Sequence, residues 1–167
     1  QTWGLWGEFI PVVPRDLRLE VKVRTLADGT VRTPVDPAEV RAVAEELRAR
    51  GAEAVAVFFI NPYANPANER AALAALREAW PNPYITASSE ILPEIREFER
   101  CSTATLNAYL QPIIASYLKS LDERLTGPGS RGELLIVQSN GGVMSVDTAA
   151  RLPIRTALSG PAAGVIA

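Results

Sequence analysis

"AEAVAVFFIN", residues 52–61, decides the fold. Apolar residues follow one another without the polar alternation of a half-solvated strand, and the run is too short for a long buried helix. It reads as a strand covered on both faces, central and parallel to its neighbours. What flanks it agrees. "DPAEVRAVAEELRARG" (36–51) places Asp36 as N-cap, Pro37 at the first helical position, Glu39 closing a capping box and Gly51 as the stop. Val40, Val43, Ala44 and Leu47 then form one apolar stripe. "ANPANERAALAALREAWP" (64–81) repeats the device, with Asn65 capping, Pro66 at the first position, Ala72, Leu73, Leu76 and Trp80 inward, and Pro81 ending the helix. "PYITASSEI" (83–91) is the next strand.

Upstream, "RLEVKVRTLADGTVRTPV" (18–35) alternates apolar and polar residues around Asp28-Gly29, the signal of a β-hairpin with Leu19, Val21 and Val23 on one face. Hairpin, helix, strand, helix, strand is the order of an α/β chain, a mixed sheet with βαβ units and helices on both faces. "STATLNAYLQPIIASYLKSLDERL" (102–125) is the longest helix, with Leu106, Tyr109, Leu110, Ile113, Ile114, Tyr117, Leu118, Leu121 and Leu125 at three- and four-residue steps. Pro112 inside it predicts a bend near Tyr109. "TGPGSRG" (126–132) is a flexible loop. Strand "ELLIVQ", turn "SNGG", helix "SVDTAARL", strand "RTAL" and the closing "SGPAAGVIA" complete the chain.

The 167 residues suit one domain, or one with an extra lobe. A net charge of −2 with both signs scattered offers no stripe for phosphates, so nucleic-acid binding has no support, and no apolar stretch approaches a membrane span. The chain contains no histidine, which excludes a Ser-His-Asp triad, a Cys-His pair and the usual zinc site. Its single cysteine, Cys101, allows no internal disulfide and fits a reducing, cytoplasmic setting; without a base beside it, a nucleophilic role is disfavoured. The chain opens on Gln1 without a secretory signal and closes inside what reads as a helix, so a piece of a longer polypeptide is expected.

Three stretches carry candidate chemistry. In "QSNGGVMS", Ser139, Asn140, Gly141 and Gly142 are either a tight strand-to-helix turn or a place where backbone approaches a ligand at a strand's carboxyl end. In "SGPAAGV", Ser159, Gly160 and Pro161 begin a helix, with Pro161 at a first helical position and Gly164 one turn on, suited to an anion or to close packing against another backbone. In "SSEILPEIREFERCSTATLN", Glu94, Arg96, Glu99 and Arg100 are either a solvated, ion-paired turn or the wall of a cleft. Ser102 and Thr103 are its helix-N-terminal hydroxyls.

Together, "LPEIREFERCSTATLNAYLQP", "LLIVQSNGGVMS" and "RTALSGPAAGV" resemble the hydantoinase A / 5-oxoprolinase family. "VPRDLRLEV", "EAVAVFFINPYANPANE" and "SSEILPEI" fit the same family, so the resemblance covers nearly all the chain after about Pro11. It implies part of a lobe similar to actin, sugar-kinase and heat-shock ATPases. Residues 1–125 would be the N-terminal hydantoinase/oxoprolinase region and 126–167 the truncated start of the hydantoinase A core.

The resemblance further implies a parent enzyme that opens a hydantoin or 5-oxoproline ring with ATP and Mg by phosphorylating the carbonyl oxygen. The alternatives are an acetone-carboxylase-like subunit and a non-catalytic module that contacts a B-type partner subunit. The family's two Asp-Gly-Gly-Thr-type phosphate loops are absent from this sequence, and Ala163 stands where many relatives have Gly. The chain alone is therefore expected to bind no nucleotide and to be inactive. The residues named in the three stretches are candidates for lining a cleft that takes a small cyclic amide.

Overall fold

A computed structural model describes residues 11–126 and 132–166. A 310 turn at Arg15–Leu17 leads to β1 (Arg24–Thr25) and β2 (Val31–Thr33), then α1 (Pro37–Ala49), β3 (Val55–Val57), α2 (Ala67–Ala79) and β4 (Ile85–Ala87). There follow α3 (Ser88–Ile91), α4 (Glu97–Leu125), β5 (Leu135–Val137), β6 (Val143–Ser145), α5 (Val146–Arg151), a second 310 turn at Pro153–Thr156, and α6 (Ser159–Ile166). The architecture is α/β, with parallel and antiparallel pairing. Among the described residues the strands form three pairs: β1–β2 antiparallel, β3–β4 parallel, β5–β6 antiparallel.

β3, α2 and β4 make the expected βαβ unit, and helices lie on both faces of the strand pair. Val55 and Val57 are buried with Val40, Ala44, Leu47, Ala72, Leu76 and Trp80 of the α1–α2 side. Thr86, between its neighbours on β4, instead meets Gln111 of α4. The apolar run 52–61 is only partly strand. β3 ends at Val57, Ala56 is exposed, and β3 pairs with β4 alone among the described residues, so it is not the central, doubly covered strand that its composition suggests. Past the strand the run serves another purpose, because the ring of Phe58 lies against the Arg100 guanidinium at 4.5 Å.

The start of α1 follows the sequence closely, whereas α2 begins one residue later than expected, at Ala67 with Pro66 as its N-cap. Asp36 caps α1 by accepting from the Ala38 amide at 2.8 Å, and Pro37 is its first residue. Glu39 does not close a capping box: it turns outward and accepts the Lys22 amide at 3.1 Å, tying the hairpin to α1. Asn65 accepts the Ala67 amide at 3.0 Å ahead of α2, and its own amide group donates to the Gly29 carbonyl at 2.9 Å. Asn61 and Asn68 also reach the hairpin, Asn61 through the Thr25 carbonyl, and Asn68 through Thr25 Oγ1, the Thr33 carbonyl and the Val35 amide. Leu17, Leu19, Val21 and Val23 thereby pack on the main core.

The hairpin turn is held twice. The Thr30 amide donates to Asp28 Oδ1 at 2.9 Å and keeps that carboxyl below its ordinary pKa. A lowered folded pKa means that this contribution is present above the ordinary aspartate value and is lost as pH falls through the lowered one. Gly29 has φ +86°, and a Cβ there would lie 3.2 Å from the Ala64 carbonyl oxygen. Gly29→Ala will therefore cost at least about 1–2 kcal/mol, the penalty of left-handed backbone alone. Chemical denaturation checks this, and an unchanged midpoint would contradict the turn geometry.

α4 starts at Glu97, earlier than its apolar spacing suggests, and runs through Pro112 as one element. Its inward residues are Arg100, Ala104, Asn107, Ala108, Gln111 and Leu118; Leu106, Tyr109, Ile113, Tyr117 and Leu125 are exposed. Its second half joins a small core of Leu118, Met144 and Ala149. "RTAL" is not a strand: the Pro153–Thr156 turn and Leu158, at φ +62°, occupy it. Of the expected loop at 126–132, residues 127–131 lie outside the described residues, as do residues 1–10.

Candidate functional site

At the foot of α4 an ion pair is buried completely. Glu69, in the first turn of α2, and Arg100, in the first turn of α4, are both 0% exposed in their side chains, with Arg100 Nη1 3.8 Å from Glu69 Oε1. The carboxylate accepts from the Phe59 amide (2.9 Å), the Ser88 hydroxyl (2.6 Å) and the Ser89 amide (2.8 Å). Arg100 Nη1 donates to the Phe59 carbonyl (3.0 Å) and to Ser88 Oγ (2.9 Å), while Phe58 covers the guanidinium face. Its Nε and Nη2 have no partner among the described residues. Four segments meet here: the chain leaving β3, α2, the chain leaving β4, and α4.

A cavity of about 480 Å³ opens in front of this pair, lined by Tyr63, Pro66, Arg70, Ser89, Glu90 and Arg151, with Pro62, Pro93 and Leu152 beside them. Tyr63 follows β3, and Ser89 and Glu90 follow β4, so the cavity sits at the carboxyl end of the parallel pair, where open α/β sheets place ligands. The Ser89 backbone is fixed by Glu69 from behind. Arg70 and Arg151 against Glu90 give the lining both signs of charge, which suits a small polar molecule better than an apolar one.

Asn107 and Gln111 continue the polar seam along α4. Asn107 donates to Thr86 Oγ1 (3.0 Å) and the Arg151 carbonyl (3.2 Å) and accepts the Ile154 amide (3.2 Å); Gln111 donates to the same Arg151 carbonyl (3.0 Å) and accepts from Thr86 Oγ1 (3.2 Å). Through them α4 positions the Arg151–Leu152 side of the cavity.

The residues singled out by sequence fall in separate places, and none is among the cavity's lining residues. Glu94, Arg96 and Glu99 are exposed, with Arg96 Nη1 3.5 Å from Glu99 Oε1, a solvated i, i+3 pair. Arg100, read with them as part of either a solvated turn or a cleft wall, is instead buried and paired with the equally buried Glu69. Ser102 and Thr103 do not cap α4, because the helix has begun at Glu97; they lie half-buried in its second turn.

The turn Ser139–Gly142 joins β5 to β6 rather than strand to helix, and α5 follows β6 with Ser145 as its cap. Gly141 has φ +85° and gives its amide to the Gln138 carbonyl at 3.0 Å, while the Gly142 amide donates to Asn140 Oδ1 at 3.0 Å. The Ser139 amide and hydroxyl donate to the Arg155 carbonyl at 2.8 and 2.9 Å, and the hydroxyl also reaches the Ala157 carbonyl. The turn thus braces Arg155 and Ala157, the approach to α6, rather than Ser159, Gly160 or Pro161 themselves. Pro161 is the third residue of α6 and not its first, since the helix begins at Ser159. Among the described residues a Cβ at Gly160 or Gly164 would meet nothing within 4 Å, so no close packing is seen at these glycines there.

Sequence reading passed over Glu69, Ser88, Asn107 and Gln111. A signal for them existed: Glu69 lies on the same helical stripe as Ala72, Leu73, Leu76 and Trp80, and Asn107 and Gln111 follow Arg100 and Ala104 at three- and four-residue steps. A polar residue on an inward stripe is buried and must be paired.

Comparison with known proteins agrees with this fold. Residues 6–80 match the sequence profile described as hydantoinase/oxoprolinase N-terminal region, and residues 100–167 that described as hydantoinase/oxoprolinase. The chain is 33% identical to the caprolactamase subunit alpha of Pseudomonas jessenii over 90% of its own length and 22% of that protein. To the acetophenone carboxylase gamma subunit of Aromatoleum aromaticum it is 32% identical, over 94% and 22%. The crystal structure of the ATP-dependent caprolactamase from Pseudomonas jessenii superposes with a TM-score of 0.79 at 32% identity, covering 86% of this chain and 21% of that one. The chain thus spans about a fifth of the length of these relatives, and it belongs to the hydantoinase/oxoprolinase family.

Proposed function

We propose that this chain is part of a longer, cytoplasmic enzyme that uses ATP to open a small cyclic amide, a lactam, hydantoin or 5-oxoproline ring, in company with a B-type partner subunit. The observation that carries the reading is the joint match in sequence and coordinates to an ATP-dependent caprolactamase over most of the chain. The polar cavity at the carboxyl end of β3 and β4 suits a molecule of that size and polarity. The turn Ser139–Gly142 and the start of α6, whose approach is braced through Ser139, are assigned to the edge of the parent's cleft.

In the glycine turn at 139–142 the amides of Ser139, Gly141 and Gly142 are given to the Arg155 carbonyl, the Gln138 carbonyl and Asn140 Oδ1 rather than held open for a phosphate. Because the two Asp-Gly-Gly-Thr-type phosphate loops that the family resemblance calls for are not in this sequence, nucleotide and Mg are assigned to the remainder of the longer polypeptide. The 167-residue chain alone is expected to release no ADP from ATP above background.

The relation to a carboxylase gamma subunit supports a second reading, ATP-driven carboxylation of a ketone. Incubating the longer polypeptide and its partner subunit with ATP and either caprolactam, 5-oxoproline, a hydantoin, or a ketone with bicarbonate separates the two. Ring-opened amino acid as product supports the first reading; carboxylated ketone with intact cyclic amides replaces it by the second.

A further inference from the structure

α4 carries large apolar residues on its outer side. Toward the protein it presents Arg100, Asn107 and Gln111 together with Ala104, Ala108 and Leu118; toward water it presents Phe98, Leu106, Tyr109, Ile113 and Tyr117. Phe98 is 77% exposed, Tyr109 62%, and Ile113 and Tyr117 61% each. From Cys101 to Leu118 the helix carries no charged residue. A helix face that stays in water ordinarily carries charges, and a contiguous apolar and aromatic face of this kind marks a contact surface. None of the described helices is long and apolar enough to cross a membrane.

We infer that this outer face of α4 is covered permanently, in the same polypeptide, by the remainder of a hydantoinase/oxoprolinase chain. The length outside the structure provides the occupant, since this chain spans only about a fifth of its relatives. The family profile places α4 with the later elements, beginning at Arg100 and running through α6. Lack of charge along the face is the mark of an obligate contact, which resembles a core cut in half, rather than of an encounter between soluble subunits. Tyr109, Ile113 and Tyr117, four residues apart, form a ridge that fits the groove of a crossing helix, with each phenol able to keep its hydroxyl at the rim. This rests on family membership alone and not on the identity of the substrate.

Hydroxyl-radical footprinting of the unsubstituted longer polypeptide, read by mass spectrometry at Phe98, Tyr109 and Tyr117, tests it without any turnover. The 167-residue chain serves as the exposed reference. Oxidation several-fold slower at Tyr109 and Tyr117 in the longer polypeptide, at all protein concentrations and without a partner subunit, supports cover in cis. Equal oxidation in the two overturns the inference. Protection only on adding a partner subunit, or only as concentration rises, overturns it in favour of a second subunit or a second copy.

Discussion

Arg100→Ala will destabilise the chain by about 3–5 kcal/mol, the usual cost of removing one member of a buried ion pair. The reason is what remains. Glu69 would keep its carboxylate at 0% exposure with no cation near it, the Phe59 carbonyl and Ser88 hydroxyl would lose a donor, and Phe58 would face a void. Glu69→Ala should be comparably severe, because the Phe59 and Ser89 amides and the Ser88 hydroxyl would lose their acceptor. The double variant Arg100→Met with Glu69→Leu should lose less than the two single losses added together, since neither charge is then left alone. Urea unfolding of the four proteins reads this directly, and a loss under about 1 kcal/mol for Arg100→Ala would place that side chain in water, where pairs are worth little.

Asn107→Ala will cost at least about 2 kcal/mol, because it strands buried groups that each carry a penalty of roughly 1–3 kcal/mol when unpaired. The Ile154 amide loses its acceptor, Thr86 Oγ1 loses a donor, and the Arg151 carbonyl keeps only Gln111. The damage should be regional. Amide hydrogen exchange will rise in α5 and the Pro153–Thr156 turn while α1 and α2, packed in their own core, stay protected. Uniform acceleration across both regions would contradict the seam as the joint between them.

The half of the fold held by apolar periodicity was legible in the sequence. Val40, Ala44 and Leu47 on α1, Ala72, Leu73 and Leu76 on α2 and Trp80 just after it are buried where their spacing puts them, and Asp36 and Asp28-Gly29 do the local work expected of a cap and a turn, while Asn65 holds the Ala67 amide from one place ahead of the α2 N-cap. What misled was apolar spacing without its tertiary context. On α4 five of the nine apolar residues that define the period, Leu106, Tyr109, Ile113, Tyr117 and Leu125, are exposed, while Leu118 is buried and Ile114 packs beside it; the polar Arg100, Asn107 and Gln111 share the inward face with Ala104 and Ala108. "RTAL" has strand propensity at Thr156 and Leu158 but no strand beside it; Ser139 takes the Arg155 carbonyl instead.

The candidate site divides along the same line. Surface ion pairing at Arg96 and Glu99 follows from local spacing, and so does a turn at Ser139–Gly142. The pairing of Arg100 with Glu69 spans 31 positions (100 − 69), and only the βαβ topology brings the ends of β3 and β4 to the foot of α4. A cavity lined from Tyr63 to Arg151 is of the same non-local kind.

The most direct test of the function proposed for the parent enzyme is the stoichiometry of ADP release against ring opening, measured on the longer polypeptide with its partner subunit and a panel of cyclic amides. The expected result is ADP release that appears only with one class of cyclic amide and in fixed proportion to the amino acid formed. Ring opening that proceeds without ATP, or ATP loss indifferent to every cyclic amide offered, would contradict it.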